Sequence, residues 1–183
     1  ETIPLVYQAK DWTHGVLMGA SMCSQTTAAA SGKVGVLRHD PMAMKPFCGY
    51  HFGKYWEHWL NMGKKMTNPP KIFHVNWFRK NANNKFMWPG FGENIRVLEW
   101  IIKRTQEKAE ANKTPIGYTP TASSIYTKDL NLDEKTLKEL TQITPAGWRQ
   151  EINRTKEYFK QFEDKVPKEL WQQINIISKD LQN

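Results

Sequence analysis

Apolar positions recur with two periods along this chain, and together they predict a mixed α/β fold. Leu5 to Ala9, apolar, β-branched and aromatic after Pro4, reads as a short strand. Trp12 to Met22, with Val16, Leu17, Met18 and Ala20, reads as a short buried helix. Ser24 to Lys33 is small and polar, hence a loop, and Val34 to Leu37 leads into a turn at His39-Asp40-Pro41. Tyr50 to Met62 carries Phe52, Tyr55, Trp56, Trp59, Leu60 and Met62 at helical spacing, an amphipathic helix with an aromatic face. Gly63 to Pro70 breaks structure, Lys71 to Phe78 alternates as a strand, and Asn81 to Lys85 forms a hairpin-type turn. Ile95 to Lys108 is the strongest helix. Ile95, Leu98 and Ile101/Ile102 are expected to form its buried face and Arg96, Lys103 and Arg104 its wet face, with Gly92 or Asn94 as N-cap.

Three further helices close the chain. Leu130 to Ile143 has Asp133-Glu134 in its first turn, where acidic groups suit the helix dipole. Thr144-Pro145 opens the next, which carries Trp148, Ile152, Tyr158, Phe159 and Phe162. Pro167 opens the last, with Leu170, Trp171, Ile174 and Ile177 inward. No repeat and no internal boundary stands out, so residues 1–183 read as one domain, with 130–183 as a helical bracket whose role is packing.

With 39% hydrophobic residues and a mean hydropathy of −0.67, the chain has the composition of a soluble globular protein. No apolar run nears the roughly 20 residues of a membrane-spanning helix. No signal-like segment is seen, and a chain starting at Glu1 is expected to be a processed product or a piece of something longer. Cys23 and Cys48 lack C-x-x-C spacing, so neither a disulfide framework nor a zinc site is expected, and a reducing compartment is the default. The histidines form no ligand pattern. The net charge is +8, and its excess sits in the first 110 residues, with 15 Lys/Arg against 8 Asp/Glu. That suits a polyphosphate or nucleic acid partner, or simply a solvated basic surface.

Lys71 to Asn94 changes the picture most. Phe73, Trp77, Phe78, Phe86, Trp88, Phe91 and His74 crowd into it around Pro89-Gly90 and Gly92, directly before a helix. Rings beside a glycine turn that opens a helix suit a flat, anionic ligand: the rings stack on a base, and the helix start favours negative charge. Core packing is the commoner use of such rings.

The wording of the segment goes further. Phe73 to Lys80 (FHVNWFRK) and Phe86 to Asn94 (FMWPGFGEN) closely resemble the base-binding region of GTP-dependent phosphoenolpyruvate carboxykinases. So do, in order, Val6-Tyr7-Gln8-Ala9, His14-Gly15-Val16, Gly19-Ala20-Ser21-Met22, His39-Asp40-Pro41, Phe52-Gly53-Lys54-Tyr55, Arg96 to Trp100 and Thr114 to Tyr118. The resemblance implies the C-terminal nucleotide-binding lobe of an enzyme of gluconeogenesis, a lyase that decarboxylates oxaloacetate and phosphorylates it from GTP, yielding GDP and using Mn2+ and Mg2+. It implies that the rings of Phe78, Phe86 and Phe91 clasp guanine, that Asn94 meets its edge, and that Gly92 and Glu93 belong to the same turn. A carboxamide, with one acceptor and one donor group, is suited to a purine edge. Gly63 to Pro70 (63–70) stands where members carry a mobile lid, but it reads shorter and lacks the usual proline-alanine-rich tip.

The resemblance also implies what is missing. No G-x-x-x-x-G-K-[ST] occurs; Ser31-Gly32-Lys33 lacks its leading glycine and following hydroxyl residue. In the family the phosphate loop and metal ligands lie upstream of the matched part, so no catalytic residue and no metal ligand is assigned in this chain. Cys23 occupies a position that usually holds a phosphate-binding arginine, and a thiol offers neither fixed charge nor a bidentate fork. No base can be paired with Cys23 to make it a nucleophile. Gln25 and Lys45 likewise replace a usual glutamate and arginine. Two readings follow: the guanine-binding part of a carboxykinase whose upstream half lies elsewhere, or a truncated, non-catalytic paralogue that binds guanine nucleotide or a protein. A nucleic acid binder ranks last, lacking any recognisable module. A cytoplasmic location is expected, with a mitochondrial one left open.

Overall fold

A computed structural model describes residues 2–25 and 36–182. The Ser31-Gly32-Lys33 tripeptide, most of the expected 24–33 loop and the start of the 34–37 run lie outside the described residues. The chain divides into two compact units, residues 1–10 with 71–150 and 183, and residues 11–70 with 151–182.

The first unit is built on an antiparallel sheet in the order β4-β1-β6-β5, comprising β1 (Val6–Gln8), β4 (Phe73–Val75), β5 (Ala111–Thr114) and β6 (Gly117–Pro120). Central β1 is buried along its length. It pairs Val6 with Val75, Tyr7 with His74 and Gln8 with Phe73 on one edge, and Gln8 with Tyr118 on the other. β4 is shorter than the alternation predicts. The β5–β6 hairpin had no periodic signal; its two-residue turn, Pro115-Ile116, is closed by Thr114 Oγ1 donating to the Gly117 carbonyl at 2.8 Å.

Helix α3 (Asn94–Thr105) buries Val97 and Trp100 against Leu5, Val6, Met87, Trp88, Ile125 and Leu140. This corrects the expected face. Ile95, Leu98 and Ile102 are exposed, and of the predicted stripe Ile101 alone packs against the cluster. The indole outcompetes the aliphatics because it fills more volume and its N–H reaches the Glu110 carbonyl at 3.3 Å. Arg104, expected to be wet, turns the same way, donating to Gln8 Oε1 at 2.9 Å and to the Ala109 carbonyl at 2.7 Å. Its stem lies along the protein while the guanidinium is satisfied.

Helix α4 (Glu134–Thr141) starts later than the periodicity suggested, because Asp133 is its N-cap, accepting from Thr136 N at 2.7 Å. That hydrogen bond holds the Asp133 carboxyl below its usual range. Helix α5 (Pro145–Lys160) begins at the proline, as expected.

His74 stacks on Tyr7, with centroids 5.4 Å apart and planes at 16°, and burial lowers its pKa below 6.5. The folded state therefore takes up this proton less readily than the unfolded chain. The contribution to stability is complete above pH 6.5 and is lost as pH falls through the lowered folded value. His74→Gln is expected to flatten the decline of the thermal midpoint on acidification below pH 6.5. Midpoints that run parallel to the parent's at every pH would contradict the assignment.

The second unit packs α1 (Trp12–Ala20), α2 (Phe52–Lys65) and α6 (Lys168–Asp180) with the end of α5, and carries the hairpin β2 (Cys23–Gln25) and β3 (Leu37–His39). Asp11 caps α1 through His14 N at 2.8 Å. The buried side chains of this unit include Val16, Leu17, Leu60, Leu170 and Ile174, and the Trp56 ring centroid lies 5.1 Å from that of Phe159 and 4.9 Å from that of Phe162. The α2 helix runs on through Gly63, where a break was expected, so residues 63–65 are helical. Gly63 is there for closeness: a Cβ would stand 2.1 Å from Trp12 Cδ1, and the Trp12 indole donates to the Trp59 carbonyl at 2.8 Å. Gly53 is equally constrained, a Cβ there falling 2.1 Å from the Lys165 carbonyl oxygen.

Candidate functional site

The stretch after β4 is shaped by asparagines and glycine. Asn76 bridges outward and back, donating to the Ile3 carbonyl at 3.0 Å and accepting from Phe78 N at 3.2 Å. A small hairpin follows, closed by Met87 N to the Arg79 carbonyl at 2.9 Å and by the bridge between Lys80 and Phe86. At its tip the Asn81 side chain accepts from Asn83 N and Lys85 N, and Asn84 takes a left-handed φ of 60°. This turn sends Phe78 and Phe86 outward and the next two residues, Met87 and Trp88, inward.

The chain then reverses at Gly90, whose φ of 77° favours glycine, and at Phe91, with φ of 48°. One 3-10 turn over Phe91–Glu93 feeds α3. The result is a set of aromatic rings outside the core: Phe78 is 70%, Phe86 60% and Phe91 94% exposed. Phe78 and Phe86 meet edge-on, centroids 6.0 Å apart at 62°, with Lys80 Nζ 5.3 Å from the Phe86 centroid. Nothing lies within 4 Å of where a Gly92 Cβ would stand, so the backbone there is open to approach. Grouped exposed phenylalanines are the informative exception to burial, since each forgoes about 1.5–3 kcal/mol of transfer free energy.

Glu93 and Asn94 are both engaged. The Glu93 carboxylate pairs with Arg96, which also donates to the Tyr126 carbonyl at 3.0 Å and lies over the Tyr126 ring. Asn94 Oδ1 accepts the Trp88 indole N–H at 2.9 Å. No residue pattern signals this Trp88 role, which requires the 86–94 turn to bring the two side chains together.

Cys23 lies in the second unit. The β2–β3 register sets it opposite His39, and its Sγ lies 3.2 Å from His39 Nδ1 and 3.7 Å from the Ser21 carbonyl. His39 stacks flat on Tyr158, centroids 3.8 Å apart at 4°. Thus a base does stand beside the thiol, contrary to expectation; the hairpin joins residues 16 apart, which spacing alone could not reveal. Burial pushes the thiol pKa up, reinforced by Glu151 and opposed by Arg154. Burial likewise lowers His39, with Arg154 and Lys45 adding to it, and burial, then Cys23 and Asp40, push the Tyr158 phenol up to about 12. The pair is a neutral thiol beside a neutral imidazole, the opposite of an activated thiolate.

Among the described residues, no group of three or more His, Cys, Asp or Glu side chains could hold a metal ion. No helix among them is long and apolar enough to cross a membrane.

Residues 1–180 match the family described as the phosphoenolpyruvate carboxykinase C-terminal P-loop domain, and the chain belongs to that family. Relatives named phosphoenolpyruvate carboxykinase [GTP] include one from Chlamydia muridarum, 50% identical over 99% of this chain and 30% of the relative. Those from Thermoplasma volcanium and Anaeromyxobacter dehalogenans are 49% and 47% identical over 98% and 96% of this chain, again covering 30% of each. The chain thus spans about 30% of the length of the relatives it matches.

Proposed function

We propose that this chain supplies the guanine-binding part of a GTP-dependent phosphoenolpyruvate carboxykinase, which converts oxaloacetate and GTP into phosphoenolpyruvate, GDP and CO2. In this reading Phe78, Phe86 and Phe91 stack on the guanine, Asn94 meets its edge, and Gly92 and Glu93 shape the turn that admits it. The observation that carries it is the exposure of all three rings in the segment that leads into α3, within a chain about half identical to enzymes named for GTP. Stacking on a base is sequence-tolerant and contributes about 1–3 kcal/mol per ring in single-strand binders. Phosphoryl transfer needs a phosphate cradle, a lysine and metal-holding carboxylates. Mn2+, Mg2+ and these groups would come from protein outside the 183 residues, so the chain alone is expected to show no turnover.

One observation favours the second reading, a non-catalytic paralogue. Cys23, where the family resemblance places a cation, is a neutral thiol satisfied by its own hairpin. Both readings keep the aromatic pocket, and the second allows a protein in place of guanine nucleotide. Titration of the 183-residue chain, followed by tryptophan fluorescence, is expected to show saturation by GTP in the millimolar range and a weaker response to ATP. A response to neither nucleotide would remove the proposal.

A further inference from the structure

We infer that Trp88 is the positioning residue that makes the site read guanine, by locking which end of the Asn94 carboxamide faces the base. The inference rests on the reading of this site as a guanine clasp and adds the origin of its selectivity.

An asparagine side chain is ambiguous: oxygen and nitrogen can exchange places by a flip, and the hydrogen-bond network decides between them. Here the network is decisive. The Trp88 ring is 2% exposed, so its N–H cannot turn to water for a partner. An indole N–H is a donor only, and the acceptor it meets, at 2.9 Å, is Asn94 Oδ1. A flipped amide would set two donors face to face inside the protein and leave a buried N–H unpaired. Tryptophan therefore fixes the oxygen inward and leaves Nδ2 as the outward end, which has no protein acceptor among the described residues.

Nδ2 carries donors and no lone pair to accept with. Guanine presents O6 and N7, both acceptors, along one edge; adenine presents an N6 amine, a donor, where guanine has O6. An amide held with nitrogen outward thus completes a hydrogen bond with guanine and meets a second donor in adenine. The phenylalanine rings cannot make this distinction, because every base has a π-face. Trp88 need not touch the nucleotide. Its place in the chain supports the division of labour: the 86–94 turn alternates Phe86 outward, Met87 and Trp88 inward and Phe91 outward, so stacking and orienting groups come from one continuous segment.

The test compares GTP and ATP binding to the full chain and two variants by calorimetry. Trp88→Phe keeps an apolar ring but deletes the donor, freeing the amide to flip. Its GTP affinity is expected to fall about threefold to tenfold, the range of one neutral hydrogen bond, with ATP affinity unchanged or improved. Asn94→Asp keeps an oxygen for Trp88 and turns a second acceptor outward, so the GTP/ATP ratio is expected to fall further, toward preference for ATP. A folded Trp88→Phe with the parent's GTP/ATP ratio, or with both affinities reduced in parallel, would reduce Trp88 to a packing role and overturn the inference. If Trp88→Phe does not fold, Asn94→Asp decides, and an unchanged ratio overturns it. A parent chain that binds both nucleotides equally would overturn the Trp88 inference while sparing the stacking clasp. A parent that binds neither removes both.

Discussion

Phe91→Ala is expected to weaken GTP binding by about 1–3 kcal/mol while leaving folding stability within about 0.5 kcal/mol of the parent. The two halves of this result come from one observation. The Phe91 side chain is 94% exposed and stacks on no other ring among the described residues, so the native fold gains little from it. Alanine also keeps the same left-handed strain at φ 48°, so the turn into α3 is not relieved or worsened. If the ring existed for packing, its removal would lower the unfolding midpoint. If it existed for a base, its removal would be silent until nucleotide is added. Thermal unfolding with and without GTP separates these: the parent should gain in midpoint with GTP and the variant should gain much less.

Trp100→Ala, in contrast, is expected to cost about 3–5 kcal/mol, a large share of the total stability of an ordinary domain. Trp100 is 1% exposed, lies in the cluster with Leu5, Val6 and Leu140, meets Phe73 edge-on at 6.0 Å, and its N–H is held by the Glu110 carbonyl. Truncation opens a cavity and leaves that carbonyl short of a donor. On the opposite face of the same helix, Ile102→Ala should change stability by no more than about 0.5 kcal/mol. Urea denaturation followed by circular dichroism measures both. A larger loss at Ile102 than at Trp100 would mean that α3 buries its aliphatic stripe after all.

That helix shows what could and could not be read from the residues. Its existence followed from periodicity, and its orientation did not, because Ile95, Leu98 and Ile102 match the helical period as well as Val97 and Trp100 do. Only tertiary context distinguishes the stripes: a large ring with a reachable carbonyl, and an arginine whose head finds Gln8 in a strand far away in sequence. The same holds for Gly63, which looked like a breaker and is instead a contact point for Trp12. Proline and aspartate signals at Pro145 and Asp133 were local, and they marked helix starts to within a few residues. The candidate site divides along similar lines. Its rings stand out because one short segment carries them, whereas Asn94 enters only through the resemblance to the family. The Trp88–Asn94 bond and the Cys23–His39 pair depend on a turn and on a hairpin register, which no spacing rule specifies.

Intermolecular NOEs from the H8 proton of bound GTP report which side chains hold the base. Cross-peaks to the rings of Phe78, Phe86 and Phe91 are expected, with the Asn94 side-chain amide shifting on binding. A saturable GTP complex whose base protons contact other residues, with these three rings unperturbed, would contradict the guanine clasp.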